Sequence, residues 1–166
     1  MKIRIAGFEA LSVVDGPGIR FVVFLQGCPH HCEGCHNPQA LDPSAGEVYE
    51  LDIVKNEIKS ASGITGVTFS GGEPFLQAEA LAELVEFTKE LGLNIMLYTG
   101  YTYQELEDKK DIEAIAKILG LTDILVDGPF IKSERDISLA FRGSRNQRII
   151  DIQKTRASGK VELFLK

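Results

Sequence analysis

Short, nearly continuous apolar runs punctuate the chain: Phe21 to Leu25, Thr65 to Phe69, Asn94 to Tyr98, Asp123 to Val126 and Arg148 to Ile150. Runs this short, without strict alternation, read as strands buried on both faces. Between them, apolar positions return at helical spacing: Ile53, Val54 and Ile58, then Leu81, Leu84, Val85, Thr88 and Leu91, then Ile112, Ile115, Ala116 and Leu119. Thr102 and Glu105 have the spacing of a capping box. Strands separated by helix-plus-loop intervals need crossover connections, so the expected fold is α/β with a parallel, curved sheet and function at the C-terminal strand ends. About six units fit, too few to close an eight-stranded barrel, which predicts an incomplete (β/α)6 TIM-like barrel in a single domain over 1–166. Val161 to Leu165 alternates and reads as an edge strand or a fraying tail.

A chain of 166 residues with 44% hydrophobic and 25% charged side chains is large enough to bury a core without disulfides or a structural metal. No apolar stretch approaches a membrane span and the N-terminus lacks a signal-peptide h-region, so the expectation is a cytoplasmic protein with no membrane partner. The net charge of −6 is unevenly spread. The acidic middle argues against nucleic-acid binding, while Lys132 to Lys160 is predominantly basic and suits either an anionic partner or a solvated face.

The three cysteines, Cys28, Cys32 and Cys35, form a C-x3-C-x2-C loop directly after the first long apolar run, within the segment 27–38. An odd number in so short a span is a poor disulfide framework. Pro29, Gly34 and Pro38 suit a non-helical loop wrapped round one centre. Two metal readings follow: a Cys3His zinc site drawing on His30, His31 or His36, or a 4Fe-4S cluster held by three thiolates with one iron left open. A second motif, Ser70-Gly71-Gly72-Glu73-Pro74, ends the next apolar run. Its paired glycines permit close backbone approach, Pro74 suits a first helical position, and Glu73 puts a carboxylate where an ammonium can be held.

Together these motifs resemble the radical S-adenosylmethionine superfamily. The resemblance implies a cluster ligated by Cys28, Cys32 and Cys35, whose open iron is chelated by S-adenosylmethionine, and one-electron cleavage of the sulfonium to a deoxyadenosyl radical. It also implies that Gly71, Gly72 and Glu73 contact the cofactor, with Gly34, Cys35 and His36 beside it and Asp127, at the end of the fifth run, as a further contact. Gly34 stands where the superfamily often carries an aromatic residue.

Asp15-Gly16-Pro17-Gly18-Ile19-Arg20 resembles a segment of the glycyl-radical enzyme activases, and the stretch from Phe130 through Arg135, Phe141, Arg142 and Arg148 is most similar to those serving anaerobic, class III ribonucleoside-triphosphate reductases. This implies abstraction of a Cα hydrogen from a glycine of a large partner enzyme, an electron donor such as flavodoxin or ferredoxin, and docking contacts at Asp15, Arg20, Arg142 and Arg145. The alternatives are an activase of pyruvate formate-lyase or another glycyl-radical enzyme, a radical enzyme acting on a small metabolite, and a non-catalytic metal-binding module.

Overall fold

In the computed structural model, which describes residues 1–166, the chain opens with a long strand, β1 (Lys2–Ser12), running antiparallel to β2 (Arg20–Leu25). Strand β3 (Glu47–Glu50) flanks β1 on its other side and leads into α1 (Leu51–Ser60). There follow β4 (Gly66–Gly71), α2 (Ala78–Glu90), β5 (Asn94–Tyr98), α3 (Tyr103–Glu107), α4 (Glu113–Leu121) and β6 (Ile124–Asp127). The last elements are β7 (Arg148–Asp151), α5 (Ile152–Ser158) and β8 (Leu163–Leu165). All strands join one sheet in the order β3-β1-β2-β4-β5-β6-β7-β8.

The fold is α/β and parallel-rich, but the six-unit count is not what the strand directions give. Strands β2, β4, β5 and β6 are mutually parallel; β1, β7 and β8 pair antiparallel with their neighbours. The Arg148 to Ile150 run is a strand as expected, yet it returns antiparallel because no helical crossover separates it from β6. A continuous apolar run carries burial and no direction. Strand β1 escaped the sequence reading because Arg4, Gly7 and Glu9 interrupt its apolar positions, as befits a strand with a partly solvated face. The C-terminal alternating segment is the edge strand β8, exposed along its length.

Strand parity divides the sheet into two unlike faces. Val23, Leu25, Val67, Phe69, Ile95, Leu97 and Leu125 pack into the main core against the helices. From α2 come Leu81, Leu84 and Val85; Thr88, also buried, returns its hydroxyl to Leu84 O at 2.7 Å. α1 contributes Leu51, Val54 and Ile58, leaving Ile53 in solvent, and α4 contributes Ile115, Ile118 and Leu119, leaving Ala116 exposed. On the opposite face Met96, Ile124, Val126 and Ile149 form a small cluster covered by Tyr98 and Phe141. No helix covers this second face; loops do. No helix is long and apolar enough to cross a membrane.

Arg20 lies at the N-terminal end of this second face and is 1% exposed. Its guanidinium donates to Thr68 Oγ1 at 2.7 Å, Pro17 O at 3.0 Å, Val67 O at 3.0 Å and Asn94 Oδ1 at 2.9 Å. Burial lowers its pKa to about 10. These bonds pin β2, β4, β5 and the preceding turn together, so the docking role expected of Arg20 is replaced by a structural one.

Candidate active site

After Leu25 the chain leaves the sheet in a loop tied off at its base. Gly27 N donates to Ala40 O at 2.7 Å and Cys28 N to Leu41 O at 3.1 Å. The buried Gln26 amide bridges Gln39 O and Asp42 O at 2.9 and 2.8 Å. Cys28, Cys32 and Cys35 are free, half-buried thiols on this loop. All three line one cavity of about 490 Å³ together with Phe24, Ser70, Gly71, Gly72, Thr99 and Gly128, which mark the C-terminal ends of the four parallel strands. This is where α/β sheets place their ligands.

The donor set fits an iron-sulfur cluster: three soft thiols on a single wrapped loop, with no fourth cysteine in the chain. Burial pushes the Cys28 thiol up to about 11, so its ionisation needs a compensating cation.

Gly71 and Gly72 carry β4 against the base of the cysteine loop. Gly72 N donates to Leu25 O at 2.9 Å and Glu73 N to Gly27 O at 2.8 Å. Gly71 has φ +106°, and a Cβ on Gly72 would run into the carbonyl oxygens of Gly27 and Ala40. The close approach expected toward a ligand is thus first an approach to the protein's own main chain. Glu73 is fully buried; its Oε1 receives Thr99 Oγ1 at 2.6 Å and Gly100 N at 2.9 Å and meets His30 Nε2 at 2.8 Å, while Oε2 receives Phe75 N at 3.2 Å. The carboxylate sits directly behind the cysteine loop, linked to it through His30.

A model of the 4Fe-4S single cluster domain family matches residues 14–150. The anaerobic ribonucleoside-triphosphate reductase-activating protein of Vibrio cholerae is 36% identical over 150 residues, covering 86% of this chain and 94% of that one. Its counterpart from Haemophilus influenzae is 35% identical, covering 83% and 91%. The chain therefore belongs to the radical S-adenosylmethionine activases of glycyl-radical enzymes. The pyruvate formate-lyase-activating enzyme of Listeria monocytogenes is 37% identical over 89% of this chain, which spans 61% of that longer protein.

Within this activase, His36 lines the cavity and its ring lies 4.7 Å from that of Phe130, while Gly34 is exposed at φ +76°. Asp15 lines the cavity and accepts from Ser12 Oγ at 2.5 Å. Arg142 also lines it, whereas Arg145 is exposed. Asp127 falls outside the expectation. It is 1% exposed and belongs, with Leu125, to the helix side of β6, where it accepts Arg148 Nε at 3.1 Å, Arg148 Nη2 at 2.6 Å and Tyr103 N at 2.8 Å. It ties β7 and the start of α3 to β6, and does not line the cavity. Phe130 entered the sequence reading only as the start of a resembling stretch, and Thr99 and the His30–Glu73 contact not at all; the position of Thr99 immediately after a strand run could have flagged it.

Proposed function

We propose that this chain activates an anaerobic ribonucleoside-triphosphate reductase by generating a glycyl radical on it. The observation that carries the reading is the set of three thiols, the chain's three cysteines, at one end of a cavity closed by parallel strand ends. Cys28, Cys32 and Cys35 are the residues that would hold the 4Fe-4S cluster. With S-adenosylmethionine bound, that group supplies one-electron reductive cleavage of the sulfonium, and the chemistry ends in loss of a Cα hydrogen from the partner's glycine.

The chain's own residues bind, orient and exclude water. Cys35, His36, Gly71 and Gly72 border the space where the cofactor's amino-acid part would lie, and Gly34 borders the same loop. The Glu73 carboxylate, held by Thr99, Gly100 and His30, sets a negative charge behind that position. The sheet acts as one wall of the cavity, whose lining includes Asp15 and Arg142, and an extended segment of the partner would enter beside them. Arg145 lies on the exposed rim, suited to steering. The reductant is a low-potential electron carrier such as flavodoxin or ferredoxin, and the setting is the cytoplasm.

Anaerobic reconstitution tests the cluster directly. The wild-type chain should bind about four irons with brown absorption, and Ala at any of Cys28, Cys32 or Cys35 should abolish methionine release from S-adenosylmethionine. His30→Ala and His31→Ala should retain iron; loss in both would overturn the three-thiolate assignment. The identity with pyruvate formate-lyase-activating enzymes supports a second reading, in which that lyase is the partner. Presenting each candidate partner in turn, and following the glycyl radical by electron paramagnetic resonance, separates the two.

A further inference from the structure

The partners of the Glu73 carboxylate are the Thr99 hydroxyl, the main-chain N–H groups of Gly100 and Phe75, and the His30 ring; none is a lysine or arginine. A carboxylate only accepts, so the ring stands with its Nε2–H toward Oε1, at 2.8 Å. Thr99 and Gly100 follow β5 directly, and the Thr99 hydroxyl is itself fixed by Tyr101 N at 3.1 Å. The end of β5 therefore already supplies Oε1 with a donor for each of its lone pairs. The bond from His30 is surplus to satisfying a buried charge. What it adds is a connection, because His30 belongs to the cysteine loop and lies between Cys28 and Cys32. The ring is closely seated. A Cβ on Gly100 would stand 2.5 Å from His30 Cδ2 and 2.7 Å from Nε2, and Tyr101 meets the ring edge-on with centroids 4.7 Å apart. The His30 side chain is 20% exposed and that of Glu73 is 0%.

We propose that His30 is a positioning residue for S-adenosylmethionine: its Nε2–H locks the cysteine loop to the Glu73 carboxylate and so fixes the separation of the two groups that the cofactor's amino-acid part has to meet. The inference rests on the cluster and cofactor reading above. His30 takes no part in holding iron and acts through Glu73. A ligand that spans two groups binds more tightly when their separation is set in advance, because less ordering is left to the binding step. Without the His30 ring, Glu73 keeps Thr99, Gly100 and Phe75, and the loop loses its tie to the carboxylate.

The test compares His30→Ala and His30→Gln with wild type. It reads iron content and, by calorimetry with no partner present, the S-adenosylmethionine affinity of the cluster-loaded protein; amide hydrogen exchange across 27–38 is followed in the metal-free chain. His30→Ala should keep its iron, bind S-adenosylmethionine about ten- to a hundredfold more weakly, the range for losing a hydrogen bond to a charged group, and exchange faster along the loop. Glutamine carries an N–H the same number of bonds from the main chain as Nε2, so His30→Gln should recover most of the affinity and of the protection. Wild-type affinity or unchanged loop exchange in His30→Ala would overturn the proposal. Equal losses in the two variants would assign the effect to the packing of the ring against Tyr101, and loss of iron in His30→Ala would assign it to cluster assembly; each overturns the proposal. A wild-type chain that takes up iron and does not bind S-adenosylmethionine would instead fail the cofactor reading, before the variants are compared.

Discussion

Burial sets the behaviour of Cys28. Its thiol is pushed up to about 11 from an ordinary 9.0, so the neutral form is favoured in the native metal-free chain. The unfolded thiol ionises first as pH rises, and the metal-free chain should lose stability from about pH 9 towards 11. Urea midpoints of wild type and Cys28→Ser across that range check this; parallel curves would contradict it. At pH 8, native Cys28 should react with iodoacetamide on the order of a hundredfold more slowly than in the denatured chain, read by mass spectrometry. Asp127 gives a sharper residue-scale test. Asp127→Asn removes the charge that answers Arg148 and should cost about 1–3 kcal/mol of stability, while S-adenosylmethionine affinity holds. A loss of that affinity in a variant of unchanged stability would return Asp127 to the cofactor site. The cysteine loop was legible from its spacing as a metal site, and the Gly-Gly-Glu turn acquired a ligand reading only through the family resemblance the two motifs carry together. Asp127 was not. Its side of the sheet depends on strand parity, and an unbroken apolar run such as Ile124-Leu125-Val126 hides which residues face the helices.

Among the elements, the meeting of β4 with the base of the cysteine loop matters most. Gly72→Val would force a branched side chain against Gly27 O and Ala40 O, so iron content and cofactor affinity should fall together. Retained iron with lost affinity would show that the glycine serves the ligand alone. The helix layer follows ordinary packing: Leu84→Ala, on the buried face of α2, should cost about 2–5 kcal/mol by urea denaturation with the site's chemistry intact. Helices α1, α2 and α4 were readable because their apolar stripes recur at helical spacing, and Thr102 and Glu105 do form the expected capping box at α3. Strand direction was not readable. β7 carries the same kind of apolar run as the parallel strands, and its reversal follows from the loop before it, which folds Phe141 over the inner face and Gln147 beneath Arg142 instead of building a crossover helix. The contacts that define the site, Glu73 with Thr99 and Tyr98 with Phe141, span 26 and 43 residues, beyond what local pattern can foresee.

At the scale of the whole molecule, the sheet has one face sealed by helices and the other left to loops and a cavity. The thiols and the ends of the parallel strands line one cavity, and in the proposed reaction a segment of another protein enters it. In that reaction the electron delivered at the cysteine loop cleaves the sulfonium of S-adenosylmethionine, and a glycine of the partner gives up its Cα hydrogen atom. The most direct test combines the anaerobically reconstituted chain, S-adenosylmethionine, a low-potential reductant and the anaerobic reductase, with the product read by electron paramagnetic resonance alongside methionine release. A glycyl radical should appear on the reductase in step with methionine, and be absent when any of Cys28, Cys32 or Cys35 is replaced by Ala. Methionine release without a protein radical on any glycyl-radical enzyme would contradict it.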